Sequence, residues 1–180
     1  MRPVDLATLA ILIVSVYFSW RVIKGSLGGV PLYALVIAVP LCLFGVAIAA
    51  LLEHRPLVEL LTVAAVAFSL AVLPASPRLW EDELSADLKR TRVFQVLRAG
   101  DVLSWRAWLK LVDRIGAGRA ALVFLGLEAV AIACALPALL TISAEVPPGF
   151  ALVTLLAPAL LAALAAFWLY RAARRLVPGA

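Results

Sequence analysis

The chain has 180 residues, 65% of them hydrophobic and 15% charged, and carries a formal net charge of +5. Its mean hydropathy is +1.07. A soluble domain has roughly 45–50% apolar and about 25% charged residues, so these values exclude soluble enzymes, nucleic-acid-binding modules, disordered chains and secreted disulfide scaffolds. They predict an integral membrane protein, and the length suits a single membrane domain covering residues 1–180.

Five segments are long and apolar enough to be membrane-spanning helices, which need about 20 residues each. In chain order they lie at about 6–23, 30–52, 57–75, 120–142 and 150–170. A membrane barrel would instead show segments of about ten residues with alternating polarity, and none of the five alternates. The sequence therefore predicts an all-α polytopic membrane protein, a bundle of five transmembrane helices.

The distribution of basic residues predicts the orientation, because Lys and Arg are retained on the cytoplasmic side of a membrane. Arg2 and Arg55 fall on one side of the five-span arrangement, and the other fourteen basic residues fall on the opposite side. We therefore predict that the N-terminus lies outside and the C-terminus in the cytoplasm. Topology and anionic lipid headgroups account for the basic face, so we expect no nucleic-acid partner.

The cytoplasmic loop, residues 76–119, is predicted to contain two helices. Ser76 followed by Pro77 is typical of a helix start, with the serine as the capping residue. The second helix is predicted to be closed by Gly116 and Gly118. This loop is the segment outside the spans with room for a feature of its own.

The second loop helix is predicted to be amphipathic. Its apolar face consists of Trp105, Trp108, Leu109, Val112 and Ile115, and the opposite face carries Arg106, Lys110 and Arg114. Such a helix is typical of the membrane interface, and a docking surface for a partner is the alternative. We predict that the basic residues of this helix contact lipid headgroups, as do those of the C-terminal tail, Arg171, Arg174 and Arg175.

Glu128 lies within the fourth predicted span, where an ionisable side chain is costly and usually faces a bundle interior, a cavity or a partner. It is the candidate for an intramembrane functional residue. A hydrogen-bonded structural carboxyl that joins helices or subunits is the alternative. No span of this chain carries a basic residue near its middle, so an ion-pair partner would have to come from another subunit.

The sequence contains no pattern that predicts a catalytic residue, a metal site or a cofactor. A haem held by two histidines is excluded because His54 is the only histidine, and we expect this residue to be solvated in an outer turn. Cys42 and Cys134 both fall within spans and are interpreted as small apolar residues. A buried disulfide between them is the alternative.

Since ligand patterns are missing, the sequence favours a non-catalytic subunit of a larger membrane complex of the respiratory or secretion type. Its expected partners are the lipid bilayer and either other membrane subunits or further copies of itself. One alternative is a small homo-oligomeric transporter or ion-conducting protein that uses Glu128. The other is an enzyme acting on lipid headgroups, with Asp82 and Asp87 as metal ligands.

The chain contains no Asn and a single Gln, Gln95. Depletion of these thermolabile residues is a reported trend in proteins of hyperthermophiles. We therefore expect the protein in the plasma membrane of a hyperthermophilic prokaryote.

Overall fold

The computed structural model describes residues 3–23, 32–93, 105–145 and 148–176, and all the regular structure in these ranges is α-helical. In chain order the helices are α1 (Pro3–Ile23), α2 (Leu32–Leu51), α3 (Arg55–Val72), α4 (Pro77–Val93), α5 (Trp105–Ile115), α6 (Ala117–Ser143) and α7 (Pro148–Leu176). The prediction of an all-α protein is confirmed over these residues.

Four helices, α2, α3, α6 and α7, are long and apolar enough to cross a membrane. They correspond to the second, third, fourth and fifth predicted spans. The apolar part of α1, Leu9–Val22, is shorter than such a span requires. The protein is therefore membrane-integral by the length and composition of its helices, with four clear candidate spans and one shorter apolar helix.

Two helical hairpins, α2–α3 and α6–α7, form the centre of the bundle. They pack against each other through α2 with α6 and α3 with α7, while α1 packs on α3. Arg55, at the start of α3, forms an ion pair with Glu145, which follows α6. The turns of both hairpins therefore lie at the same end of the bundle, called the turn end below.

Gly45 sets the close approach of α2 and α3. A Cβ atom at this position would lie 2.8 Å from Cδ1 of Leu61 on α3, which is closer than carbon atoms pack. Ala49, one helical turn further along α2, is fully buried. Small residues at this spacing let two membrane helices approach.

The turn between α2 and α3 is closed by two reversed hydrogen bonds. The N–H of His54 donates to the carbonyl of Ala49 at 2.9 Å, and the N–H of Glu53 donates to that of Ala50 at 3.0 Å. This is the Schellman arrangement, whose left-handed position usually holds glycine; here Glu53 occupies it with a φ of 54°. His54 then caps α3, because its Nδ1 accepts the N–H of Leu57 at 3.3 Å.

Helix α4 begins where the Ser76–Pro77 pair predicts. The hydroxyl oxygen of Ser76 accepts the N–H of Leu79 at 3.4 Å. Trp80 and Leu84, on one face of α4, are fully buried. The helix thus docks on the bundle through an apolar stripe at the end opposite the hairpin turns, called the α4 end below.

Two glutamates of α4 bind the ends of other helices. Both carboxylate oxygens of Glu83 accept the N–H of Leu32, at 2.9 and 2.8 Å, at the first residue of α2. Glu81 forms an ion pair with Arg175 near the end of α7. Helix α4 therefore fixes the start of α2 against the end of α7.

The junction of α5 and α6 differs from the predicted one. Gly116 alone breaks the helix, with a φ of +84°, whereas Gly118 lies inside α6. The prediction that Gly118 helps to close the loop helix is wrong, because a single residue in the left-handed region is enough to change the direction of the chain. Helix α6 consequently begins before the apolar run does, and includes Arg119.

Candidate functional site

Glu128 lies on the buried face of α6. Seven of the nine buried residues in the described part of α6 are spaced alternately by four and three residues, which is the repeat of a helix packed along a seam; the other two are Ala120 and Leu139. Six of the seven carry Ala or Phe, and the seventh is Glu128. The positions are Ala117, Ala121, Phe124, Glu128, Ala131, Ala135 and Ala138.

The carboxyl group of Glu128 is almost completely enclosed, with 2% of the residue exposed. It lies eleven residues beyond the first residue of α6, about 16 Å along the helix axis. Among the described residues, no hydrogen-bond donor reaches its Oε2 atom. A buried ionised carboxylate without a partner is costly, so this group has to hold a proton or lie beside a cation.

The burial of Glu128 also bears on how its charge could be compensated. The sequence suggested a basic residue from another subunit as the ion-pair partner. With 2% of the residue exposed, the closed chain leaves almost no surface of Glu128 for a second protein to touch.

A cleft of about 410 Å³ opens at the turn end, between the α2–α3 hairpin and the end of α6. Its apolar lining comes from Ala50, Val58, Pro137, Ala138 and Ile142. Ala138 is also the last residue of the buried α6 face that carries Glu128. The cleft and the buried carboxyl therefore share one face of α6, ten residues apart, or about 15 Å along the axis.

Charged residues line the mouth of this cleft. The Nε atom of Arg55 lies 3.2 Å from Oε1 of Glu59, one turn further along α3, and its guanidinium also pairs with Glu145. Glu53 lines the same mouth, and within the described ranges no basic group forms an ion pair with it. The described lining of the mouth thus holds two carboxylates, Glu53 and Glu145, and one guanidinium, while Glu59 lies outside it.

The cluster at the mouth was missed by the sequence analysis, which treated Arg55 only as a topology signal. Arg55 and Glu145 are 90 residues apart in the chain. The available signal was the similarity of the two hairpins, since each carries Glu and Pro at its turn. That similarity indicates related turns but does not say that they meet.

The apolar face of α5 is largely covered by the chain itself. Trp108, Leu109 and Val112 are buried, and Ile115 is half-buried against the core. The indole N–H of Trp108 finds no acceptor among the described residues. The side chain of Trp105 lies outside the described part of the chain. Little of these three buried side chains is left for lipid or for a partner.

The basic residues predicted to contact lipid lie at the α4 end. Arg114 is exposed and Lys110 is half-buried, while the side chain of Arg106 lies outside the described residues. In the tail, Arg171, Arg174 and Arg175 line a shallow groove of about 330 Å³ with Phe167 and Tyr170. The aromatic rings lie beside the guanidinium groups, in the combination found at membrane interfaces.

Two tail arginines contact aromatic rings directly. The guanidinium carbon of Arg174 lies 5.8 Å from the ring centre of Tyr170, and its Nη1 donates to the phenol oxygen at 3.1 Å. That of Arg171 lies 5.7 Å from the ring centre of Trp168. These contacts orient both arginines along the helix surface.

The remaining candidates are placed individually. Asp82 is exposed on α4, and the side chain of Asp87 lies outside the described residues. Within the described ranges, no three side chains of the metal-ligating types come together. Cys42 is half-buried on α2 and Cys134 is exposed on α6, and both are free thiols. His54 is exposed, and its ring serves as a helix cap.

Comparison with protein-family models, with curated proteins and with solved structures gives no match for this chain. Its function has to be argued from the residues alone.

Proposed function

We propose that all five apolar helices cross the membrane, with the N-terminus outside and the α4 end in the cytoplasm. Helix α1 has 21 residues, which at 1.5 Å per residue is about 31 Å, close to the thickness of the hydrocarbon core. The basic residues support the same orientation, and those of the tail would then meet anionic headgroups. The plasma membrane of a hyperthermophilic prokaryote is the setting that the composition favours.

Within that membrane, we propose that the protein carries protons or small cations, with Glu128 as the residue that exchanges them. The observation that carries the proposal is the enclosed carboxyl without a partner for Oε2. A structural carboxyl would be expected to use both oxygens in hydrogen bonds. A group that alternately takes up and releases a cation keeps one oxygen free.

The cleft at the turn end supports the same function. It opens at the α6 face on which Glu128 lies, and Ala138 of its lining is about 15 Å from that residue along the helix axis. Between Glu128 and Ala138 the buried side chains of α6 are those of Ala131 and Ala135, and Ile132 is half-buried against the core. Small side chains would have to move least for a path to open between the cleft and Glu128.

Transport by Glu128 can be tested in sealed proteoliposomes that report proton flux with an entrapped pH-sensitive dye. We expect Glu128→Gln to abolish the flux, and Glu128→Asp to retain part of it because a carboxyl remains. Asp82→Asn is the matched control, since it removes an exposed carboxylate of α4. Undiminished flux in Glu128→Gln would contradict the proposal.

A second candidate is the non-catalytic subunit of a larger membrane complex. It is favoured by the outer face of α1, where apolar residues recur at spacings of four and three. Leu9, Ile13, Val16 and Trp20 are between 47% and 68% exposed. This is the spacing of a helix seam, and the described part of the chain leaves these side chains largely exposed.

The subunit function requires a protein on that seam. A photo-crosslinker placed at Val16 should then capture a second polypeptide in native membranes, whereas one at Leu160, exposed on α7, should not. Capture of lipid alone at both positions would remove this candidate and leave transport.

A further inference from the structure

The cleft at the turn end has the size and composition of a small-molecule site. Its volume of about 410 Å³ lies within the range of about 300–1,000 Å³ that such sites occupy. The surfaces are divided into two zones, because the apolar lining lies on the helices and the charged lining lies at the turns. A ligand that fits both zones must itself be amphiphilic.

The charged zone determines the sign of the ligand's charge. Among the described residues, the lining carries the carboxylates of Glu53 and Glu145 and the guanidinium of Arg55, so the mouth has an excess of one negative charge. Glu59, outside the lining, pairs with Arg55 from the next turn of α3. Arg55 is shared between Glu59 and Glu145, which leaves Glu53 as the carboxylate not paired by a basic residue within the described chain. The only other polar side chain of the lining, Thr141, donates its hydroxyl hydrogen to the carbonyl of Ala138 at 2.7 Å.

Within the described lining of this cleft, no comparable feature favours an anion. The hydroxyl hydrogen of Thr141 is already used, and the guanidinium of Arg55 is occupied by two carboxylates. An anionic ligand would therefore approach Glu53 and Glu145 against their charges. A cation gains from the same arrangement without breaking any contact.

We propose that this cleft binds an amphiphilic organic cation, with its charged group beside Glu53 and its apolar part against Val58, Pro137 and Ile142. As the substrate class of a transporter, this inference rests on the proposed function: the cation and a proton would use the same α6 face in turn. Binding in the cleft does not itself require Glu128, and it can be measured without transport.

The test uses the full chain in lipid nanodiscs and equilibrium dialysis of tetraphenylphosphonium, with empty nanodiscs subtracted. Tetraphenylborate, an anion of the same shape, is the matched probe. We expect saturable binding of the cation and none of the anion above background. Glu53→Gln should weaken binding of the cation roughly three- to fivefold, the effect of one partly solvated charge.

Two further variants separate the cleft from non-specific attraction. Ala50→Phe, at an exposed position of the lining, should reduce binding by filling the cleft, with thermal unfolding checked to show that the variant folds. Asp82→Asn removes a carboxylate at the α4 end and should leave binding unchanged. Equal binding of both probes, or equal losses in Glu53→Gln and Asp82→Asn, would overturn the inference.

Glu128→Gln distinguishes the inference from the function on which it rests. We expect this variant to bind tetraphenylphosphonium like the unmodified protein while losing proton flux. Binding that depends on Glu53 without any flux would refute transport and leave the cleft as a binding site. Flux that depends on Glu128, together with binding that ignores Glu53, would refute the cleft site and leave transport.

Discussion

The backbone N–H of Leu32 donates to both carboxylate oxygens of Glu83, at 2.9 and 2.8 Å. A helix begins with N–H groups that have no partner within the helix, and usually a residue just before it caps them. Here the cap of α2 comes from α4. The negative charge of Glu83 also lies at the positive end of the α2 dipole.

We predict that Glu83→Ala lowers the free energy of unfolding by about 1–2 kcal/mol, the sum of a lost cap and a lost dipole contact. Glu83→Gln should cost about half as much, since the amide oxygen still accepts the Leu32 N–H without the charge. Thermal unfolding in detergent measures both. The neighbouring Asp82→Asn is the control, and a loss of the same size there would show that general charge, not capping, is responsible.

Gly45→Ala should destabilise the α2–α3 hairpin by about 1 kcal/mol or more, because the new methyl group would force Leu61 to move. Gly126→Ala is the matched control on α6, where a Cβ atom would meet nothing within 4 Å and helix propensity favours alanine by up to about 1 kcal/mol. Unfolding midpoints of the two variants should therefore shift in opposite directions.

The double variant Gly45→Ala/Leu61→Ala gives the decisive comparison for this contact. The truncation of Leu61 leaves room that the new methyl group can occupy, so the two changes together should cost less than the sum of the single ones. Strict additivity would mean that Gly45 and Leu61 do not limit the approach of the helices.

Glu53→Gly should stabilise the protein by about 1 kcal/mol, since a non-glycine residue is strained in the left-handed region. Glu53→Ala removes the same carboxylate but keeps the Cβ atom, so it should bring no such gain. The difference between their unfolding midpoints isolates the backbone effect. Both variants should weaken binding of tetraphenylphosphonium to the extent expected for Glu53→Gln, which would make Glu53 a residue kept for binding at a position where glycine would be more stable.

The orientation is tested by labelling single cysteines in intact cells, with Cys42 and Cys134 replaced by alanine. A cysteine at Ala144, exposed in the turn after α6, should react with an impermeant thiol reagent added outside. One at Asp82, on α4, should react only after the membrane is opened. The reverse labelling pattern would mean that the turn end, and not the α4 end, faces the cytoplasm.

Hydropathy is enough to predict α2, α3, α6 and α7, because an apolar segment of sufficient length is stable in lipid whichever helices lie beside it. Helices α6 and α7 nevertheless extend beyond the apolar runs, and α7 includes Arg171 and Arg174 before it ends at Leu176. A helix stops where its hydrogen bonds stop and not where the membrane does. The apolar run therefore predicts the membrane-spanning segment but underestimates the length of the helix.

The candidate site was only partly predictable. Glu128 could be found from the sequence as a single acidic residue in an apolar run. Its enclosure by the chain's own helices could not, since hydropathy does not say which face of a membrane helix meets another helix. Contacts such as Arg55 with Glu145 depend on how two hairpins pack, and no local pattern encodes that.

The capping of α2 by Glu83 has a consequence for the order in which the protein is made. Leu32 and Glu83 are separated by 51 residues, and a ribosome adds about 5–20 residues per second, so α2 waits roughly 3–10 s for its cap. During that interval the nascent chain holds α1, α2 and α3 without the contact that closes the start of α2. The first three helices are therefore made as an unfinished unit, and the synthesis of α4 completes it.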